Sequence, residues 1–79
     1  MQTRAQNYAC AATHADMLAL RLEEAGSQAG ALVRELVQLS MQGSAEHLNL
    51  LELRRLLAAQ ARTARKDACR LAQLARGIT

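Results

Sequence analysis

From Tyr8 onward the apolar positions recur at alternating spacings of three and four: Tyr8, Ala11, Ala15, Leu18, Leu22, Ala25, Ala29, Leu32, Leu36 and Leu39. That is a heptad seam, and it predicts one helix packed lengthwise against another. The seam passes Gly26 and Gly30 without losing phase. A loop inside "GSQAG" would break the register, so the pattern argues for a continuous or mildly kinked helix, with a short break at 26–30 as the alternative. "TRAQ" at Thr3 and "THAD" at Thr13 both have capping-box character, which leaves two candidate starts. The helix is expected to run to about residue 42.

The stretch "QGSAEHLNLLE" then poses a joint. Gly43 suits the left-handed residue that ends a helix, Ser44 is a strong N-cap for a new one, and Glu46 falls in the first turn, where the helix dipole favours an anion. A second helix follows from about 45 to 76, closed by Gly77. Its seam reads Leu50, Leu53, Leu57, Ala61, Ala64, Ala68, Leu71, Ala75 and Ile78. A joint of two residues at 43–44 makes the helices antiparallel neighbours. The fold class expected is therefore all-α, an antiparallel hairpin of two long helices forming a single domain over 1–79. Folding at the joint sets Ala25 and Ala29 across from Ala61 and Ala64, and Leu32, Leu36 and Leu39 across from Leu50, Leu53 and Leu57.

Composition supports helix throughout. Apolar residues make up 51% of the 79, yet there is one tyrosine and no Phe, Trp or Pro, and an Ala, Leu, Gln, Glu and Arg alphabet favours helix over strand. A chain this short sits near the size at which one core barely outweighs the entropy lost on folding.

The pattern also leaves apolar residues over. Leu48, Leu51 and Leu56 point away from the second seam, while Val33, Val37 and Met41 widen one flank of the first. One partner helix covers a stripe of only about 100°, so a lone hairpin would expose several large side chains near the joint. Three coverings are open: a third element such as residues 3–12 folding back, a second copy, or a different protein.

Charge is uneven. Residues 1–44 carry three arginines against four carboxylates, a net of −1, and residues 45–79 carry six arginines and Lys66 against three carboxylates, a net of +4. Arg55, Arg62, Lys66 and Arg70 share a face that suits phosphates, but without aromatic residues to stack bases any such binding would be electrostatic. No stretch approaches the roughly 18 uncharged apolar residues of a membrane span. The N-terminus lacks the basic start and apolar run of a secretory signal, and two cysteines agree with a reducing compartment. A soluble cytoplasmic protein is the expectation.

Little catalytic chemistry is legible. Cys10 and His14 stand at i and i+4, a spacing that holds two zinc ligands, but no further Cys or His joins them, so no metal site is assigned. In the proposed register Cys69 lies about eight residues from the point opposite Cys10, too far for a disulfide. Glu23 and Glu24 diverge on a solvated face, and a narrow hairpin offers no cleft to desolvate a histidine base. No enzymatic activity and no cofactor are assigned.

The passage "VRELVQLSMQGSAEHLNLLELRRLLAAQ" resembles the small E-type (YscE-like) co-chaperones of the type III secretion needle subunit. A helix ending near "REL", then Gly43, Glu46 and the leucines of "HLNLL", and a long Ala/Leu/Gln/Arg helix after them carry the likeness. It spans roughly residues 18–76, with Ala45 standing where proline is common and a longer N-terminal segment. The resemblance implies a hairpin that docks on a tetratricopeptide-repeat chaperone, the pair holding the needle subunit soluble in the bacterial cytoplasm before export. It implies that Val33, Val37, Met41, Leu48, Leu51 and Leu56 face the repeat protein, with Arg55 at the rim. The alternative from the residues alone is a homodimeric four-helix bundle, with its arginine face open to nucleic acid.

Overall fold

A computed structural model describes residues 2–77. Two helices fill it: α1, Arg4–Gln38, and α2, Ala45–Gly77. The first start is the real one. Thr3 is the N-cap, its hydroxyl accepting from the Gln6 amide at 3.1 Å while the Thr3 amide donates to Gln6 Oε1 at 2.8 Å. That reciprocal box satisfies two of the amides a helix start leaves orphaned. Thr13 instead lies inside α1 and turns its hydroxyl back to the Ala9 carbonyl at 3.2 Å, the bond a threonine makes once the helix already exists. Residues 4–12 are therefore the first turns of α1, not a third element.

The joint is longer than the sequence suggests, because α1 stops at Gln38. Leu39 is the C-cap, and Ser40 takes the left-handed conformation at φ 60°. The Met41 amide donates to the Leu36 carbonyl at 2.9 Å and the Ser40 amide to the Val37 carbonyl at 3.0 Å. These two bonds define a Schellman motif with serine in the glycine position. Gly43 does adopt a positive φ of 84°, but it enters α2 rather than closing α1. Ser44 caps α2 as expected, its hydroxyl accepting from the His47 amide at 3.2 Å. His47 answers by accepting the Gly43 amide on Nδ1 at 3.1 Å. An imidazole thus does the work of the glutamate in a capping box, one residue further out.

Both helices run unbroken, α1 straight through Gly26 and Gly30. They pack only on each other, as an antiparallel hairpin measuring 58 × 16 × 14 Å. The core is made of small side chains: Ala12, Ala19, Ala29, Val33 and Leu36 from α1 meet Ala61, Ala64 and Ala68 from α2, with Gly30 buried among them.

This corrects half of the expected α1 seam. Its anchors at Tyr8, Ala15, Leu22, Ala29 and Leu36 lie at the interface or its margin, but the alternate positions are Ala12, Ala19, Gly26 and Val33. Leu18 (55% exposed), Leu32 and Leu39 (68% exposed) lie outside. On α2 the positions that turn inward near the joint are His47 and Leu50, while Leu53 stays exposed. Ile78 lies outside the described residues. The physical reason is backbone approach. A track of alanine and glycine lets α1 settle close against Ala61, Ala64 and Ala68, whereas leucines in the same places would hold the helices apart and leave those alanines in a void.

Candidate functional site

With the seam fixed, each helix presents two flanks. On one, Arg65 of α2 reaches across to α1, its Nε donating to Glu23 Oε1 at 2.7 Å and a terminal nitrogen lying 3.7 Å from Asp16 Oδ1. That bridge marks the charged flank, which in α1 runs Asp16, Glu23, Gly30, Val37 and in α2 Leu51, Ala58, Arg65, Ala72, each series at seven-residue intervals. The opposite flank runs Leu18, Ala25, Leu32, Leu39 in α1 and Leu53, Gln60, Asp67, Leu74 in α2. Every leucine of this second flank is exposed; the row is apolar along α1 and is interrupted on α2 by Gln60 and Asp67.

The expected partner-facing set is divided by this geometry. Val33 is 8% exposed and belongs to the hairpin's own core, so it is not available to a second protein. Val37 and Leu51 are exposed on the charged flank, with Leu48 and Arg55 beside them, and Met41 is half-buried in the joint. Leu56 sits about 140° around α2 from Leu51, closer to the leucine flank. Arg55 is engaged within α2, gripping Glu52 through Nε at 3.1 Å and Nη2 at 2.6 Å. These bonds pull the Glu52 carboxyl below its ordinary range and push the arginine up.

Leu18, Leu32, Leu39 and Leu53 are the surface residues that periodicity missed, since it had them inside. A signal for them was present. The rows 11, 18, 25, 32, 39 and 12, 19, 26, 33 both alternate correctly with the anchors, and only the second matches the alanines of α2 in size.

Between Gly26 and α2 the charged flank opens into a shallow pocket of about 360 Å³, lined by Leu22, Gly26, Ser27, Ala58, Ala61, the carboxylate Glu23 and three arginines, Arg54, Arg62 and Arg65. Arg65 is spoken for by Glu23, whose carboxyl it holds below the usual range chiefly through a direct hydrogen bond, partly opposed by desolvation and aided further by the arginine's charge. Cys10 and Cys69 are free and exposed. Among the described residues no group of three or more His, Cys, Asp or Glu gathers as metal ligands would, and no helix is long and apolar enough to cross a membrane. His47 is buried and committed to the α2 cap.

Compared with protein-family models, curated proteins and solved structures, the chain has no match in any of the three.

Proposed function

We propose that this hairpin is a non-enzymatic docking protein: a type III secretion co-chaperone that lends its exposed leucines to a tetratricopeptide-repeat chaperone, the pair keeping the needle subunit soluble before export. One observation carries the docking reading, which is the amount of apolar surface that two helices leave uncovered. The accessible area is 5877 Å², against about 4,700 Å² for a compact monomer of this mass. The radius of gyration is 17.6 Å, where a compact chain of this length would have about 12 Å. The surplus comes from the rod shape, and eleven large apolar side chains stand exposed on it among the described residues. A standard interface takes about 800 Å² from each partner, so the surplus is large enough to supply one. The secretion role rests on the resemblance of residues 18–76.

Co-expression with the repeat chaperone and needle subunit of the same secretion system tests it. Wild-type protein should copurify with the chaperone, and Leu51→Asp with Leu56→Asp should abolish copurification without unfolding the hairpin, since both leucines are exposed. Retention by that double variant would refute docking through these two leucines, and no complex with wild-type protein would refute the role.

The leucine flank favours a second reading, a homodimeric four-helix bundle. Its exposed leucines, Leu18, Leu32 and Leu39 on α1 with Leu53 and Leu74 on α2, lie along one side of the hairpin, where a second copy could pack lengthwise. Sedimentation of the chain alone distinguishes them. A concentration-dependent dimer dispersed by Leu32→Asp with Leu53→Asp supports the bundle, and a monomer supports the separate partner.

A further inference from the structure

We infer that the arginine-rimmed pocket at Gly26, together with the adjoining ground over Gly30, receives an acidic, amphipathic helical segment of another protein. The inference rests on the docking reading above but not on the identity of the partner. A methyl group added at Gly30 would lie 3.6 Å from Arg54 Nε and 3.8 Å from a terminal nitrogen of Arg34. Two guanidinium groups, one from each helix, thus converge over the same glycine. Arg62 lines the pocket one turn beyond Ala58. None of these three is in a salt bridge with a carboxylate among the described residues; the ion pairs there use Arg21, Arg55 and Arg65. Like charges gathered at one point repel, and the pocket's one carboxylate, Glu23, is already bonded to Arg65. An incoming carboxylate would, and the planar fork of arginine binds carboxylates in two-point fashion.

The surroundings choose a protein segment over a small anion. The pocket floor is apolar, formed by Leu22, Ala58 and Ala61. Towards the joint the same flank continues into exposed Val37 and Leu51. From Leu51 to Arg62 the flank extends about 16 Å along α2, three turns of helix. An amphipathic helix with leucines on one face and glutamates at its edge matches that order of apolar, cationic, apolar and cationic ground. Arg65, clasped by Glu23 and Asp16, closes the far end with its charge already satisfied.

The test uses the full chain, isotopically labelled, and a fluorescent amphipathic peptide of roughly four helical turns with a leucine face edged by glutamate. A counterpart carries glutamine in place of glutamate. The glutamate peptide is expected to bind about tenfold more tightly than the glutamine one and to shift the Gly26 and Gly30 amides. Arg34→Gln with Arg54→Gln should erase that preference, while Arg70→Gln with Arg76→Gln, the same loss of charge elsewhere, should keep it. Absence of binding, equal binding of the two peptides, equal loss in both double variants, or shifts confined to Leu18, Leu32 and Leu53 would each overturn the inference. So would single-stranded DNA or inorganic phosphate that moved the same glycine amides at lower concentration than the peptide. Copurification with the repeat chaperone separates the two ideas. If Arg34→Gln with Arg54→Gln retains the chaperone while Leu51→Asp with Leu56→Asp loses it, the secretion reading stands and the acidic segment falls as its contact. Peptide binding at Gly30 without any chaperone complex gives the reverse.

Discussion

Ser40 offers a direct measure of how the hairpin turns. It holds φ 60° at the end of α1, a conformation that costs an L-residue roughly 1–2 kcal/mol and glycine almost nothing. Its side chain is exposed and takes no part in the hydrogen bonds around the joint; only its amide does, donating to Val37. Ser40→Gly therefore removes strain and no contact. The gain is reduced by the extra freedom glycine has in the unfolded chain, about 0.5–1 kcal/mol, so a net stabilisation of about 0.5–1 kcal/mol is expected. For a domain of this length that raises the melting temperature by roughly 2–8 °C. Gly43→Ala is the matched opposite. Nothing lies within 4 Å of the added methyl, so any loss comes from the backbone at φ 84° alone, and about 1 kcal/mol of destabilisation is expected. Urea titrations followed by circular dichroism report both, with the slope unchanged if only stability moves. A neutral or destabilising Ser40→Gly would mean that α1 does not end where the Schellman bonds place it, and a neutral Gly43→Ala would mean that the residue is not left-handed in solution.

Four further outcomes follow from the same geometry. Gly26→Ala should stabilise α1 by about 0.5–1 kcal/mol, because its new methyl would rest 4.0 Å from Leu57 Cβ in ordinary contact; thermal melts that fall instead would show that the helices sit closer than described. Leu36→Ala, at a buried position, should cost about 2–5 kcal/mol, whereas Leu39→Ala should cost far less, and equal losses in denaturant titration would contradict the seam. His47→Ala removes the acceptor of the Gly43 amide and should lower stability by about 1 kcal/mol, read from the same titrations. The Glu23 carboxyl is held below its ordinary value of 4.5 by Arg65. Its contribution is fully present above that value and is lost as pH falls through the lower folded one, so acid titrations of the wild type and Glu23→Gln should converge at low pH; parallel curves would show that the bridge carries no stability.

Much of this architecture is written in one dimension. The absence of proline, the single aromatic side chain, the "TRAQ" box and the Ser44 cap act within a few residues, and the heptad spacing can be read directly along the chain. They determine two helices, their order and their antiparallel return. The Ala61, Ala64 and Ala68 face of α2 was legible for the same reason, having no competing row of similar spacing.

What periodicity leaves open is which way α1 is turned. Its anchors belong equally to the leucine row and to the alanine and glycine row, so spacing cannot separate them, and only the size match against α2 does. That choice buried Val33 and put Leu18, Leu32, Leu39 and Leu53 on the surface. It also brought Gly30 under the guanidinium groups of Arg34 and Arg54, residues twenty positions apart in the chain. Such meetings depend on how closely two backbones approach, a property of the pair of helices that neither strand of sequence carries alone.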